Sequence, residues 1–267
     1  SQGVRLVSFI DPTGAAGVGR LDGEAVAVLR APTMLDWLRG DGHEATGTHH
    51  ALAGVTLRAP VPEPPSVRDF YAFEGHVATG WRRRGAPVPP AWYAAPAFYF
   101  ANPASIHGPG EAARRPDTTR ELDFELEIAA IVGADGSIAG YTLLNDLSAR
   151  DTQREEVTVG LGPSKGKDFA TALGPWLVTP DELPIHDGRL QLEATVTVNG
   201  VELTRSDAAA QHFSWPQIAA HAARHHGGDR AAATLTARLT LSAYSFANPL
   251  PGQRPGDAAR QILLFLR

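Results

Sequence analysis

Short runs of β-branched and apolar residues, separated by glycine, proline and aspartate, dominate the pattern along this chain. Runs of this length between turn residues predict strands. The runs that we predict as strands are residues 4–10, 25–29, 122–132, 141–144, 176–179 and 190–198, the last followed by the hairpin turn Asn199-Gly200. We therefore expect a mainly β protein with some α.

Two segments have the spacing and the capping residues of helices. Residues 33–39 predict one short helix, and residues 213–224 predict a second helix that is opened by Ser214 and has Pro216 in its first turn. Residues 77–92 combine helix-favouring sequence with several prolines. That combination is consistent with a mobile flap.

A proline-rich stretch over residues 58–65 predicts a stiff, extended connection between two parts of the chain. It contains Pro60, Pro62, Pro64 and Pro65. Each proline fixes its own φ angle and removes a backbone donor. We place a boundary there, with a small N-terminal β domain over residues 1–58 and a second domain over residues 66–267.

Composition narrows the possible classes of function. The chain has 267 residues, of which 43% are hydrophobic and 20% charged, and its formal net charge is −5. These values argue against disorder and against a surface that binds nucleic acid. Neither a membrane-spanning run nor a secretory leader is visible, so we expect a cytoplasmic protein with no membrane partner. Because cysteine is absent, any metal must be held by oxygen or imidazole ligands.

An acidic alternation marks the predicted strand 122–132. In a regular strand Asp123, Glu125 and Glu127 share one face, while apolar residues fill the other. A solvent-facing acidic edge is one interpretation. A metal site is the other, since Asp146 follows the next predicted strand, and carboxylates without cysteine suit Mg²⁺, Mn²⁺ or Ca²⁺.

Basic and imidazole groups accompany these acids. Arg150 alone is typical of a structural salt bridge, and Lys165 and Lys167 lack the spacing of a phosphate-binding loop. His76 lies a few residues after Asp69 and Tyr71. A lone histidine is usually structural, but its near-neutral pKa also suits a general base.

Together these segments resemble the fumarylacetoacetate hydrolase family from about residue 58 to about residue 225. The motifs that carry the resemblance are Arg68-Asp69-Phe70-Tyr71 leading to His76, Phe124-Glu125-Leu126-Glu127, Asn145-Asp146 with Ser148-Ala149-Arg150-Asp151, Gly166-Lys167-Asp168-Phe169 with Thr171, and Gly174-Pro175-Trp176. The resemblance implies a mixed β-roll catalytic domain preceded by a small N-terminal β domain, and a homodimer.

The resemblance also implies roles for individual residues and a divalent cofactor, Mg²⁺ or Mn²⁺ with Ca²⁺ as a further option. The residues that match metal ligands are Glu125, Glu127, Asp146 and Asp69. The residues that match catalytic and substrate-binding groups are His76 as base, Lys167, Tyr71, Arg150 and Gln153, and Thr171 matches a residue that supports the metal ligands.

The expected reaction is hydrolysis of a carbon–carbon bond in a 1,3-dicarbonyl or acylpyruvate-type acid through a metal-stabilised enolate. Family hydrolases orient the catalytic histidine with a late glutamate, but the last glutamate of this chain is Glu202, and Thr79 stands where acylpyruvase-like members have one. Glu74 is the nearest substitute, and the tail after about residue 227 diverges from the family. Two alternatives therefore stay open: a decarboxylase or isomerase of a 2-oxo dicarboxylic acid, and a catalytically impaired homologue that binds a small acid.

Overall fold

The computed structural model describes residues 3–224, 234–238 and 262–266. Within these residues the chain is mostly β, as the residue pattern predicts. The strands are β1 Arg5–Ile10, β2 Ala16–Asp22, β3 Ala25–Leu29, β4 Ala45–Ala51, β5 Thr56–Leu57, β6 Val67–Phe70, β7 Phe98–Ala101, β8 Ile106–His107, β9 Leu122–Asp123, β10 Leu126–Val132, β11 Ile138–Asp146, β12 Ser148–Ala149, β13 Thr171–Val178, β14 Ile185–His186, β15 Arg189–Leu190, β16 Glu193–Val198, β17 Val201–Asp207, β18 Thr234–Arg238 and β19 Ile262–Leu266.

Five α-helices lie between these strands in the part of the chain that the structure describes. They are α1 Met34–Arg39, α2 Glu74–Arg83, α3 Pro90–Ala94, α4 Arg150–Glu156 and α5 Trp215–Ala223. None of the helices among the described residues is long and apolar enough to cross a membrane.

The two predicted helices are confirmed, and their ends follow from local chemistry. Thr33 caps α1 in a capping box with Asp36, and Ser214 caps α5 in a capping box with Gln217. The apolar side of α5 buries Trp215 among the residues of the main core. The proline-containing segment predicted as a flap consists of α2 and α3 with the loop between them.

A twelve-stranded sheet organises the molecule. Ten of its strands follow the order β4-β3-β2-β1-β13-β11-β10-β18-β6-β7, β5 pairs with β1, and β8 pairs with β13. Strands from both predicted domains belong to this sheet, because β1 pairs with β13 at Arg5–Val178 and Leu6–Leu177. The boundary at residues 58–65 stays a prediction.

The predicted strand 122–132 is wrong in one respect: it is two strands, β9 and β10, with Phe124 and Glu125 between them. Side chains take over the backbone donors at the break. Phe124 N donates to Asp123 Oδ1 at 2.9 Å, and Glu125 N donates to Asn145 Oδ1 at 3.2 Å. Because the ladder is interrupted there, β9 pairs with β12 while β10 pairs with β11 and β18.

The acidic residues of this segment are interior groups. Asp123, Glu125 and Glu127 are all buried, so the interpretation as a solvent-facing acidic edge is wrong. The hairpin turn Asn199-Gly200 is confirmed between β16 and β17, and both of its residues have positive φ. Most of the divergent tail predicted after about residue 227 lies outside the described residues.

Candidate active site

Three strands of the large sheet bring three carboxylates together. Asp69 lies on β6, Glu127 on β10 and Asp146 at the end of β11. All three residues are buried, and one carboxylate oxygen of each lies within 4.8 Å of those of the other two. We call Asp69, Glu127 and Asp146 the carboxylate centre.

The carboxylate centre has the chemistry of a site for a hard divalent ion. The Oδ1 atom of Asp146 is buried and has no hydrogen-bond partner among the described residues. Carboxylate oxygens are the ligands that Mg²⁺, Mn²⁺ and Ca²⁺ prefer. Two further acids, Asp123 and Glu125, are buried beside the centre, where they form ion pairs with Arg150 and Lys167. The residues present therefore fit a divalent cation.

Glu125, the remaining predicted ligand, is held between two cations. Its Oε2 accepts a hydrogen bond from Lys167 Nζ at 2.5 Å, and its Oε1 forms an ion pair with the Arg150 guanidinium. The structure thus groups three of the four predicted ligands and turns Glu125 toward the basic residues.

Lys167 joins the carboxylate centre to this ion-pair network. Its Nζ donates to Asp146 Oδ2 and Glu125 Oε2, and to Ser148 Oγ at 2.9 Å. The residue is almost completely buried. Each of the three N–H donors of this ammonium group thus has an acceptor on a neighbouring residue, which fixes the group in position.

A 3-10 turn over Lys165–Lys167 delivers this ammonium group to the site. Gly166 allows the turn to pack on α4, because a Cβ atom there would lie 2.8 Å from Gln153 Cβ and 2.9 Å from Gln153 Cα. Glu156 Oε1 also accepts hydrogen bonds from Ser164 N at 2.7 Å and from Gly166 N at 3.2 Å. The turn therefore depends on close backbone contact with α4.

Arg150 begins α4 and contacts another predicted substrate-binding residue. It donates from Nε to Asp123 Oδ2 at 2.8 Å and from a terminal nitrogen to Gln153 Oε1 at 3.0 Å. Its salt bridge to Asp123 also fits the structural interpretation of Arg150. Thr171 is buried opposite Asp146 in the β11–β13 pair, beside the carboxylate centre.

Tyr99 is a site residue that sequence reasoning missed. Its hydroxyl group donates to Asp146 Oδ2 at 2.9 Å. Burial raises the pKa of the Tyr99 phenol well above its usual value, and the negative charges of Asp146, Asp69, Glu127 and Glu125 raise it further. Tyr99 therefore stays protonated and acts as a donor. The only available signal was its position between two phenylalanines in a short apolar run.

The predicted catalytic histidine lies on α2. The ring of His76 meets the ring of Tyr71 edge-on, with 5.0 Å between centroids. The Glu74 carboxylate, two residues earlier on the same helix, accepts a hydrogen bond from the Tyr93 hydroxyl at 2.6 Å and lies 4.0 Å from His212 Nδ1. Tyr93 and His212 were not anticipated from the sequence.

A cavity of about 300 Å³ opens beside the carboxylate centre. Two residues that hydrogen-bond Asp146, namely Tyr99 and Lys167, are among its lining residues. The remaining lining residues are Phe100, Ala101, Asn102, Pro163, Ser164 and Asp168. The cavity is thus contiguous with the groups that surround the centre.

Comparison with known proteins identifies the family. The family model described as fumarylacetoacetate hydrolase, C-terminal, matches residues 66–229, which is more than half of the chain. The chain belongs to the fumarylacetoacetate hydrolase family. Members of this family are enzymes, and they include hydrolases, isomerases and tautomerases.

Curated relatives in this family have several activities. The fumarylacetoacetase of Oryza sativa subsp. japonica is 35% identical over 145 residues, which are 43% of this chain and 34% of that protein. The oxaloacetate tautomerase YisK of Bacillus subtilis (strain 168) is 27% identical over 205 residues, which are 72% of this chain and 64% of that protein. This chain thus aligns with about a third of the length of the rice fumarylacetoacetase.

Solved structures of the family share the fold over almost the whole chain. The fumarylacetoacetate hydrolase of Exiguobacterium antarcticum has a TM-score of 0.74 at 20% identity, covering 98% of this chain and 95% of that one. The 2-hydroxyhepta-2,4-diene-1,7-dioate isomerase of Mycobacterium marinum has a TM-score of 0.72 at 20% identity, covering 98% and 94%. These similarities establish the β-rich fold of the family for this chain.

Proposed function

We propose that this protein is a metal-dependent hydrolase that cleaves a carbon–carbon bond in a 1,3-dicarbonyl or acylpyruvate-type acid. The observation that supports the proposal is the clustering of three buried carboxylates, those of Asp69, Glu127 and Asp146. Lys167 donates a hydrogen bond to the Asp146 carboxylate of this cluster. A hard cation and a fixed ammonium group suit a substrate whose reaction builds negative charge on oxygen.

The carboxylate centre would hold Mg²⁺ or Mn²⁺, with Ca²⁺ as a further option. A divalent ion bound there would polarise the oxygens of a 1,3-dicarbonyl group and lower the cost of placing negative charge on them. Lys167 adds a positive charge that is already oriented by Glu125 and Ser148, so little reorganisation is needed when charge develops.

The remaining residues bind the substrate and move the proton. We assign substrate binding to Tyr71, Arg150 and Gln153. We assign to a ring nitrogen of His76 the removal of a proton from the attacking water, whose oxygen bonds to a carbonyl carbon. The carbon–carbon bond then breaks, its electron pair stays with the leaving fragment, and that fragment takes up a proton at carbon. Glu74 is the acid nearest to His76 in sequence, and we propose that it assists the histidine.

A decarboxylase or isomerase of a 2-oxo dicarboxylic acid is the second candidate. The similarity to the oxaloacetate tautomerase extends over 72% of this chain, more than the similarity to the rice fumarylacetoacetase does. This chemistry needs the charge-stabilising residues but no activated water. A homologue that binds a small acid without turnover is a third candidate, motivated by the absence of glutamate after Glu202. We also propose a homodimer, which analytical ultracentrifugation would test.

The deciding experiment compares substrates with and without metal. Purified protein is given acetylpyruvate, fumarylpyruvate and oxaloacetate with Mg²⁺, with Mn²⁺ or with EDTA. We expect metal-dependent release of pyruvate from the acylpyruvates and no release with EDTA or with Glu127→Ala. Turnover of oxaloacetate alone would instead support the second candidate. Absence of any turnover, with metal bound, would support the third.

A further inference from the structure

Lysine is almost absent from this chain, and its two positions coincide with the site. Of the 24 lysine and arginine residues only Lys165 and Lys167 are lysines. Both belong to the 3-10 turn that packs on α4. The Lys167 side chain is 1% exposed and is committed to Glu125 and Asp146, whereas the Lys165 side chain is 78% exposed. The proposed hydrolase function assigns a role to Lys167 and none to Lys165.

The cavity beside the carboxylate centre is lined by Lys167 and by the two residues that flank the lysine turn. Tyr99 and Lys167 line this cavity, and so do Ser164 and Asp168, which flank the lysine turn. Its volume of about 300 Å³ corresponds to roughly ten water molecules. A substrate whose reacting end lies at the carboxylate centre can therefore extend a tail of several atoms into this space.

The Lys165 ammonium group is paired with a residue that lines the cavity. The Asp168 carboxylate, whose residue lines the cavity, forms an ion pair with Lys165 Nζ. Asp168 is itself anchored, because Asn102 Nδ2 donates to Asp168 Oδ1 at 2.9 Å and to the Asp168 carbonyl oxygen at 3.0 Å. The hydrogen bond to Asp168 raises the pKa of Lys165, so the amine stays charged.

The chemistry of this group indicates what it can bind. An ammonium group offers three donors and no acceptor, and Asp168 is the ion-pair partner found for Lys165 among the described residues. An anionic oxygen is therefore its best additional ligand. The buried acids of the nearby centre repel an anionic tail, so a dicarboxylic substrate needs a positive charge to hold its far end.

We propose that Lys165 binds the distal carboxylate of a dicarboxylic oxo acid whose reacting end lies at the carboxylate centre, with Asp168 as the residue that positions Lys165. This specificity rests on the proposed function. The contact with Lys165 predicts that the protein prefers dicarboxylic substrates to acylpyruvates that end in a methyl group.

The kinetic test compares two acylpyruvates that differ in their tails. Fumarylpyruvate has a distal carboxylate and acetylpyruvate has none. For Lys165→Ala we expect the ratio of kcat/KM for fumarylpyruvate to that for acetylpyruvate to fall about tenfold, through KM for fumarylpyruvate, and Lys165→Arg to restore most of it. Arg114→Ala is the control, because it removes another exposed ion pair with the same i,i+3 spacing, to Asp117, and should leave the ratio unchanged. A ratio unchanged in Lys165→Ala would overturn the proposal.

A labelling test needs no turnover, which separates this proposal from the proposed hydrolase activity. Acetylation of the native protein should modify Lys165 and the terminal amine, because Lys167 is buried. With Mg²⁺ present, 2-oxoadipate should slow acetylation of Lys165, measured by peptide mass spectrometry, and 2-oxohexanoate, of equal length without the distal carboxylate, should not. Equal protection by both acids, or protection by neither, would count against the carboxylate contact. If no acylpyruvate is turned over but 2-oxoadipate still protects Lys165 selectively, the hydrolase proposal is wrong and the binding-site proposal stands.

Discussion

Tyr99 on β7 lies directly opposite Asp69 on β6, yet its hydroxyl group reaches past that neighbour and donates to Asp146 Oδ2 at 2.9 Å. A residue of the outermost strand of the sheet thus holds a carboxylate that comes from β11. Lys167 donates to the same Oδ2 atom. Both donors approach Oδ2, whereas Oδ1 of Asp146 is buried and accepts no hydrogen bond from the residues that the structure describes.

The protonated state of Tyr99 predicts how stability depends on alkaline pH. Burial, followed by the adjacent carboxylates, raises its pKa well above the usual value, so the folded protein keeps a proton that the unfolded chain loses near pH ~10. The contribution of Tyr99 to the free energy of unfolding is fully present below that pH. Above it, the contribution falls by up to about 1.4 kcal/mol per pH unit. We expect urea denaturation between pH 9 and pH 11 to show that Tyr99→Phe loses less stability with rising pH than the wild type does.

Tyr93→Phe is the control for this experiment. The Tyr93 pKa is also raised, by its hydrogen bond to Glu74, but the side chain lies at the surface, where 44% of the residue is exposed. Tyr93→Phe should therefore change the slope of stability against pH less than Tyr99→Phe does. Identical slopes in Tyr99→Phe and wild-type protein would contradict the assignment.

Much of the site follows from local motifs, since Asp69, Glu127 and Asp146 each stand in a separate recognisable segment. What the sequence could not show was the orientation of Glu125, because that depends on the Asn145 side chain taking its backbone amide and breaking the strand. Tyr99 was missed for a similar reason. Its role arises only when β6 and β7 pair, and no local pattern specifies that contact.

Ligand and ion-pair roles predict different effects for two neighbouring glutamates. Glu127→Ala should weaken Mg²⁺ or Mn²⁺ binding by more than about 100-fold in calorimetry, with a small effect on folding, because it removes one of three clustered acids. Glu125→Gln should instead destabilise the fold by about 3–5 kcal/mol, since it removes the acid between Lys167 and Arg150. Equal metal affinities in Glu127→Ala and the wild type would exclude the carboxylate centre as the metal-binding site.

The role of His76 is separable from that of the charge-stabilising residues. His76→Ala should lower hydrolysis by roughly 10²- to 10⁴-fold, the usual effect of a general base, and lower metal-dependent decarboxylation or enol–keto exchange much less. Glu74→Gln provides the comparison. Because the Glu74 carboxylate already accepts a hydrogen bond from Tyr93, we expect a smaller loss. Equal losses of both activities in His76→Ala would give the histidine a role in the step that they share.

Gly166 controls the position of Lys167 through the close packing of their turn on α4. In Gly166→Ala the added Cβ would lie 2.8 Å from Gln153 Cβ, so the turn must move away from α4 and carry Lys167 with it. We expect kcat to fall at least about tenfold with metal affinity little changed. Gly54→Ala is the matched control, because its added Cβ meets no atom within 4 Å. A fully active Gly166→Ala enzyme would show that the turn tolerates displacement.

His221 on α5 predicts a loss of stability in acid. Burial, and then the positive charge of Arg224, lowers its pKa, so the folded protein resists a proton that the unfolded chain accepts near pH ~6.5. The stability of the wild type relative to His221→Leu should therefore decrease as the pH falls from 8 to 5. Urea midpoints at the two pH values measure this difference. An unchanged difference would mean that folding does not lower the pKa of His221.

Pairing of β1 with β13 gives the first strands of the chain a part in supporting the site. Ile131, on the strand that carries Glu127, and Leu177 are fully buried in one apolar cluster with Leu6, Met34 and other residues of the first part of the chain. A chain shortened to begin at residue 66 would open this cluster to water and leave a hydrophobic strand edge exposed. Expressed alone, such a fragment should aggregate, so engineering or recombination that treats the catalytic segment as a portable cassette must carry the N-terminal strands with it.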